Sequence, residues 1–371
     1  PYEIANAEHL AMSESVGMIN LSHFAIMDVE GPDAERMLEY LSVAKVGGKT
    51  AEGRIVYTNF LDEDGGVHAD LTISRLGADR YRVVTGGADG NLDWVTMRNY
   101  RDDNGLEVDI NIRTHDIVTL GLWGPQAKNA LGNLVDPSEI SMENFPFATA
   151  KYLTLNLSGG KTIDVWVARI SYVGESGWEI YLNNDSEEGL ALYDSLLEVG
   201  VVPVGIETYA NSRRLEKSFR LQGADLEGNY NACESAIERR LVKADDFHGK
   251  EAHLAHREEE PITILCTMTL DDLNVSGATR YPVGISPIID PDTGEVPVDS
   301  KGRRSYSTSM AYCPSIKKHV VMGYLPKNIA IQGKALTLEY FNEGGDGVYP
   351  MTVQIVGKGS IYDPDNSRVR S

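Results

Sequence analysis

Hydrophobic and polar residues alternate with a period of two along much of the first half of the chain, and this alternation predicts β-strands. The alternating segments are 17–31, three consecutive stretches within 53–87, a stretch that starts at 115, and the pair 152–157 and 162–169. Glycine turns at 64–66 and 77–79 separate the three consecutive stretches, which predicts an antiparallel meander. The glycine pair at 158–160 predicts a hairpin in the same way.

A second pattern, with apolar residues three or four positions apart, predicts helices. The helical segments are 5–15, a segment that begins at Pro32, 89–99, 186–198 and 206–221. From about residue 260 the chain becomes almost entirely strand-like, and it ends in a predicted hairpin over 334–357. We therefore expect an α+β protein with two domains, residues 1–258 and 259–371, divided where the composition changes.

Two of the predicted strands each carry one carboxylate among uncharged residues. Asp70 interrupts VHADLTIS (67–74), and Glu179 lies between Trp178 and Ile180. Aspartate is disfavoured in the middle of a strand, and a buried acid needs a partner or a function. The alternative is that each carboxylate faces water on the polar side of its sheet, as the alternation around Asp70 allows.

Composition excludes several classes of partner. The net charge of −21 and the sequence pI near 4.8 argue against binding to nucleic acid or to an anionic membrane, since phosphate binding needs clustered Lys and Arg. No apolar run approaches the roughly 20 residues that span a bilayer. Cys233, Cys266 and Cys313 are odd in number and far apart, so we expect neither a disulfide framework nor a metal site, and we expect a reducing, cytoplasmic location.

The segment VVTGGADG (83–90) follows a predicted strand and precedes a predicted helix, as a dinucleotide-binding loop does. Its glycines do not follow the G-x-G-x-x-G spacing, and its neighbouring strands form antiparallel hairpins rather than a βαβ unit. A dinucleotide site is therefore not predicted here.

Four segments, in the same order along the chain, resemble motifs of the glycine-cleavage T-protein (aminomethyltransferase) family. They are GGVHADLTIS (65–74), SYVGESGWEIY (171–181), SRRLEKSFRLQGADL (212–226) and TSMAYCPSIKKHVVMGYLP (308–326). The resemblance extends from about Val16 to near Val356. It implies a folate-binding fold of three lobes around a central cleft, the last a small β-barrel, with tetrahydrofolate as the cofactor.

The same resemblance assigns roles to residues. It makes Asp70 the catalytic residue and Glu179 the ligand of the pterin ring, and a carboxylate suits the second role because it accepts two parallel N–H donors. Val84 and Gly86 fall on a further family motif, V-x-N, and are predicted with Arg214 to bind the cofactor. Tyr57 and Tyr172 are added because their flat rings lie in or beside the motif segments and suit the wall of a site for a planar ring. Two positions depart from the pattern, because Gly86 replaces an asparagine of the family and Gln222 stands where the glycine-cleavage enzyme has a tyrosine. Both departures weaken the case for glycine cleavage itself.

Within the superfamily, the segments 169–181 and 214–226 are most similar to the folate domain of dimethylglycine and sarcosine dehydrogenases, with trimethylamine-N-oxide demethylase as a second host of such a domain. We therefore predict tetrahydrofolate-dependent one-carbon transfer during demethylation of a methylated amine, yielding 5,10-methylenetetrahydrofolate. An N-terminal catalytic domain or subunit would supply the small one-carbon donor, formaldehyde or an imine. The start at Pro1 leads us to expect a piece of a longer polypeptide or a processed form.

Two alternatives remain open from the sequence. One is a stand-alone aminomethyltransferase that acts on a lipoyl protein. The other is a folate-binding module without catalytic activity, which the retention of Asp70 disfavours.

Overall fold

A computed structural model describes residues 2–48, 50–184, 186–270, 284–342 and 345–370. The helices are α1 (Tyr2–Glu14), α2 (Ala34–Leu41), α3 (Gly90–Asn104), α4 (Ala127–Leu131), α5 (Ser186–Glu198), α6 (Arg214–Glu216) and α7 (Lys250–Glu258), with a π-helix at Glu207–Arg213 directly before α6. None of the helices in these ranges has the length and apolar character that a membrane crossing requires.

The strands are β1 (Gly17–Asn20), β2 (Ala25–Glu30), β3 (Ile55–Leu61), β4 (Val67–Gly77), β5 (Arg80–Thr85), β6 (Asp109–Ile112), β7 (Ile117–Trp123), β8 (Ala150–Asn156), β9 (Thr162–Ala168), β10 (Gly177–Asn183), β11 (Val202–Pro203), β12 (Thr263–Leu270), β13 (Ile288–Ile289), β14 (Ser307–Cys313), β15 (Lys318–Pro326), β16 (Ala335–Asn342) and β17 (Gly345–Val356). They form three sheets, so the α+β class is confirmed. The predicted meander is β3-β4-β5, and the two predicted hairpins are β8-β9 and β16-β17. Residues 343–344, between the last two strands, lie outside the described part.

The first sheet has the order β3-β4-β5-β2-β6, and α2 and α3 pack against it around Met37, Tyr81 and Met97. The second sheet has the order β11-β1-β7-β10-β9-β8, with α4 and α5 on the core side. A shared cluster that includes Ile55, Val84 and Tyr181 joins these two sheets. The strands β4 and β10, which carry the two carboxylates, therefore belong to different sheets of one packed unit.

The third sheet has the order β13-β16-β17-β12-β15-β14 and curls into a half-barrel. Its two edges approach each other where Ser307 N donates to Ser286 O at 2.9 Å and Pro287 pairs with Tyr306. This is the form taken by the β-barrel expected at the C-terminus. The division into domains at 258/259 stays a prediction, although the third sheet begins at Thr263.

Two elements differ from the prediction. The segment 17–31, predicted as one strand, is split into β1 and β2 in separate sheets, because Asn20 accepts the Ser22 N–H and Phe24 N donates to Leu21 O to form a turn. The helix predicted over 206–221 ends at Glu216, and Ser218 adopts a left-handed φ of 55°. This early end turns the following residues toward the space between the first two sheets.

Candidate active site

A cavity of about 710 Å³ lies between the first and second sheets. Its wall contains residues of β3, β4, β5 and β10, of the π-helix and of the segment 219–222. Six of the seven site residues predicted from the sequence line it: Tyr57, Asp70, Val84, Gly86, Tyr172 and Glu179. The folding of two distant strands against each other thus brings Asp70 and Glu179 to one space.

Asp70 lies opposite Asn59 of β3 in the antiparallel register, and Asn59 Nδ2 donates to its Oδ1 at 3.1 Å. The hydroxyl of Tyr57 also donates to this carboxylate. Burial raises the pKa of Asp70 to about 6, and the hydrogen bonds from Tyr57 and Asn59 offset part of that rise. Asp70 therefore faces the cavity rather than an open polar face, and both of its protonation states are accessible near neutral pH.

Glu179 lies in β10 between Gly121 of β7 and Ala168 of β9, and only 4% of it is exposed. The hydroxyl of Tyr181, two residues along the strand, donates to its Oε2. Burial raises the pKa of Glu179 to about 7, and the Tyr181 hydrogen bond opposes that rise. A carboxyl group in this state is costly to keep ionised until a ligand supplies further donors.

Aromatic side chains form the flat part of the wall. The Tyr172 ring stacks on Phe219 with centroids 6.0 Å apart, and it contacts Tyr209 at 5.4 Å. Tyr209 in turn stacks on Trp123 in the core. The Tyr172 hydroxyl donates to the main-chain oxygen of Arg220 at 2.6 Å, which fixes the ring in place. Such a surface suits a planar ring system.

At Gly86, where the family pattern has asparagine, the space for a side chain is taken by a neighbour. A Cβ at this position would lie 2.9 Å from Oδ2 of Asp89, which also lines the cavity. Burial raises the pKa of the Asp89 carboxyl. Sequence reasoning missed Asp89, which precedes α3 and has the signal of a helix-capping residue but makes no side-chain cap hydrogen bond.

Arg214 is the one predicted site residue that the structure places off the cavity wall. Its Nη1 pairs with Asp225 at 2.5 Å and its Nη2 donates to Ser309 Oγ at 2.6 Å, so the side chain ties α6 to β14. Arg220, which the sequence did not single out, lines the cavity instead. The early end of α6 accounts for this exchange.

Two buried polar atoms on the cavity wall have no hydrogen-bond partner among the described residues, Ser171 Oγ and Gln222 Oε1. Gln222 Nε2 is occupied, since it donates to His68 O at 3.2 Å. An unpaired buried acceptor costs about 1–3 kcal/mol. A ligand with several N–H groups would satisfy Gln222 together with Glu179 and Asp70. The described residues contain no group of three or more His, Cys, Asp or Glu side chains placed to hold a metal ion.

Comparison with known proteins shows the family of this chain. Residues 2–245 match the family model described as the GCVT N-terminal domain. The chain therefore belongs to the glycine-cleavage T-protein (aminomethyltransferase) family, as its motifs predicted, and the aminomethyltransferases of this family use tetrahydrofolate. The solved structure of the glycine cleavage system aminomethyltransferase T from Bartonella henselae matches with a TM-score of 0.75 at 23% identity, covering 95% of this chain and 88% of that one, which shows the fold.

Curated relatives are of two kinds. The aminomethyltransferase of Symbiobacterium thermophilum is 28% identical over 351 residues, covering 90% of this chain and 87% of the relative. That of Herpetosiphon aurantiacus is 30% identical over 279 residues, covering 75% and 73%. Mitochondrial dimethylglycine dehydrogenase of Mus musculus is 29% identical over 364 residues, but these make up 95% of this chain and only 38% of the enzyme.

Proposed function

We propose that this chain transfers a one-carbon unit, at the oxidation level of formaldehyde and carried on an amine nitrogen, to tetrahydrofolate. The observation that supports this most directly is that Asp70 and Glu179, which come from different sheets, line the same aromatic-walled cavity. Burial raises the pKa of both carboxyl groups. The product would be 5,10-methylenetetrahydrofolate.

The wall fits the cofactor. When bound, tetrahydrofolate supplies nucleophilic nitrogens that accept the one-carbon unit. Glu179 would hold the N–H edge of its pterin ring, and Gln222 Oε1 and Ser171 Oγ are further polar atoms that lack partners. The rings of Tyr172 and Tyr209 would cover the face of the pterin. Hydrogen bonds within the protein already orient Glu179, Gln222 and Tyr172.

Asp70 would serve the chemistry rather than the binding. One-carbon transfer between amines passes through cationic species, and a fixed carboxylate in a poorly solvated cavity stabilises positive charge. With its pKa raised to about 6, Asp70 can also take up and return a proton near neutral pH. The hydrogen bonds from Asn59 and Tyr57 keep its oxygens oriented toward the cavity.

The donor defines two candidates. The coverage of 87% of the Symbiobacterium relative favours a stand-alone aminomethyltransferase. The second candidate is demethylation of a methylated amine, with a partner domain or subunit that generates the one-carbon unit. The replacements at Gly86 and Gln222 favour it, and so does the similarity of nearly the whole chain to part of dimethylglycine dehydrogenase.

The test is binding and turnover by the purified chain. We expect tetrahydrofolate to bind with micromolar-range affinity in calorimetry, and the chain to accelerate the formation of methylenetetrahydrofolate from added formaldehyde above the spontaneous rate. Absence of both would overturn the proposal. Steady demethylation of dimethylglycine, sarcosine or trimethylamine-N-oxide by the chain alone would contradict the need for a separate source of the one-carbon unit.

A further inference from the structure

Arg220 differs from the other ionisable groups of the cavity in the sign of its charge. The acids on the wall are Asp70, Asp89 and Glu179, and Arg220 is the only lysine or arginine among the described residues that line it. His23 also lines the cavity, but burial lowers its pKa and keeps it neutral near pH 7. In a chain with a net charge of −21, this guanidinium supplies positive charge that attracts an anion to the part of the wall that the structure describes.

The guanidinium is held firmly but is not neutralised. Its Nε donates to Ser235 O at 3.1 Å, Nη1 to Ser218 O at 2.7 Å and Nη2 to Gly357 O at 3.0 Å. An arginine has five N–H donors, so two remain for a ligand, one on each Nη atom. No carboxylate oxygen of the described residues lies within 4.0 Å of these nitrogens.

Two carboxylates whose charges act on Arg220 already have other partners. Asp225, whose charge acts on Arg220, pairs with Arg214 at 2.5 Å, and Glu238 pairs with Lys358 at 2.8 Å. Burial lowers the pKa of Arg220, which is the cost of a cation in surroundings that do not solvate it. A fixed, poorly solvated guanidinium with two N–H groups to spare is the usual partner of a carboxylate.

Arg220 also lies at the Asp70 end of the cavity. Gln222, two residues after Arg220, donates from Nε2 to the main-chain oxygen of His68, two residues before Asp70, at 3.2 Å, so this segment lies against β4. The charge of Arg220 also opposes the rise in the pKa of Asp70. A molecule with a cationic nitrogen beside Asp70 and a carboxylate beside Arg220 would be held at both ends.

We propose that Arg220 is a specificity-determining residue that binds a carboxylate inside the cavity, and that this carboxylate belongs to the one-carbon donor. The donor class is then an N-methylene amino acid, a zwitterion whose cationic iminium nitrogen and electrophilic methylene carbon would lie near Asp70. Transfer of the methylene carbon to the two reacting nitrogens of tetrahydrofolate would break the C=N bond, and the two N–H protons of the folate would pass to the nitrogen of the released amino acid. This inference rests on the proposed function. The glutamate tail of the folate offers the same chemistry from a second source, and the position of Arg220 beside Asp70 favours the donor.

The test compares donors that differ only in the carboxylate. Methylenetetrahydrofolate formation is measured with formaldehyde premixed with glycine and with formaldehyde premixed with glycinamide, each corrected for its spontaneous rate. We expect the wild-type chain to prefer the glycine mixture by about tenfold to a hundredfold, the range expected for hydrogen bonds to a charged group. Arg220→Met should abolish the preference and Arg220→Lys should retain part of it.

Arg239→Met is the matched control. Arg239 is exposed, and its guanidinium donates to the main-chain oxygen of Tyr57 at 3.0 Å, close to the cavity but outside its wall. This variant should keep the wild-type preference. An unchanged preference in Arg220→Met would overturn the inference. Equal losses of activity with both donors, together with a lower melting temperature, would also overturn it, because that result would limit Arg220 to stabilising the main chain.

A second arm separates the two sources of the carboxylate. Affinities for tetrahydrofolate and for 6-methyltetrahydropterin, which lacks the glutamate tail, are measured for the same variants. A loss in Arg220→Met that is confined to tetrahydrofolate, with donor preference intact, would overturn the assignment to the donor, because it would show that Arg220 binds the folate tail instead. If the wild-type chain neither binds tetrahydrofolate nor forms product, the proposed function fails and this inference fails with it.

Discussion

The arginines on the two sides of the end of α6 have different partners. Arg213 is fully buried and pairs with Glu175 at 2.5 Å and with Glu216, and Arg214 pairs with Asp225. Arg220, just beyond the helix, binds only main-chain carbonyls. Arg213 belongs to a buried ionic cluster with Glu175 and Glu216, Arg214 forms a separate buried ion pair, and Arg220 lines the cavity.

The acids divide in the same way. Glu175 and Glu216 have arginine partners, and His9 Nε2 lies 3.4 Å from Glu216. Asp70 and Glu179 have hydrogen bonds from neutral side chains, and burial raises their pKa values. Identical residue types therefore stabilise the fold where they are paired, and remain available for a ligand where they are not. The predictions below test this difference.

The largest effect is expected in the ionic cluster. Arg213→Met leaves Glu216 buried beside a neutral histidine and removes one of the two arginines at Glu175, so the free energy of unfolding should fall by about 3–5 kcal/mol. Urea denaturation measures this change. Arg80→Met is the control, since it breaks an exposed pair with Glu30 and should cost at most about 1 kcal/mol. Equal losses in the two variants would contradict the assignment of the cluster to stability.

On the cavity wall, Glu179→Gln should weaken tetrahydrofolate binding by about thirtyfold, because an amide replaces one acceptor by a donor that faces N–H groups. The fold should be retained, since the variant replaces a buried ionisable group by a neutral amide of similar size. Calorimetry measures the affinity. Glu339→Gln, an exposed mid-strand glutamate of β16, is the control and should bind like the wild type. Unchanged affinity in Glu179→Gln would remove its role as the pterin anchor.

A smaller effect is expected from pH. The pKa of Glu179 is about 7 in the free protein, and the ionised form binds N–H donors, so affinity for tetrahydrofolate should fall about tenfold between pH 8 and pH 6. Protons should be released on binding at pH 7, seen as a dependence of the enthalpy on the buffer. Glu179→Gln should flatten both trends.

The contribution of Glu179 to the free energy of unfolding should change with pH in the opposite direction to the affinity. The native state holds the Glu179 proton more tightly than the unfolded chain does, because its pKa is raised from 4.5 to about 7. This contribution to stability is therefore complete below about pH 4.5 and is lost as the pH rises toward 7. The difference between wild type and Glu179→Gln in urea titrations at several pH values isolates it. A wild-type curve parallel to that of the variant would contradict the raised pKa.

The sequence was sufficient for features that depend on local pattern. Glycine turns and alternation predicted the meander that carries Asp70, and the motif around Glu179 predicted a strand with a buried acid. Arg214 lies off the cavity wall for a tertiary reason, since its guanidinium is held by Asp225, beyond the end of α6, and by Ser309 of β14. Its assignment to the cofactor stays a prediction.

The positions of Arg220 and Asp89 on the cavity wall depend on structural details that the spacing of apolar residues in the sequence does not reveal. The apolar spacing of 206–221 continues past Glu216, and only the left-handed backbone at Ser218 ends the helix and turns Arg220 toward the cavity. Asp89 reaches the wall because Gly86 has no side chain to block it. Both effects arise from packing between segments and became apparent only in three dimensions.

The central claim is that Asp70 acts in the chemistry of a folate site, and one comparison tests it most directly. Asp70→Asn keeps the shape of the side chain and removes its charge, while Asp164→Asn makes the same change at an exposed mid-strand aspartate of β9. The account predicts that Asp70→Asn binds tetrahydrofolate within about threefold of the wild type but forms methylenetetrahydrofolate from formaldehyde at least about a hundredfold more slowly, after subtraction of the spontaneous rate, and that Asp164→Asn is unaffected. Wild-type turnover by Asp70→Asn would contradict it.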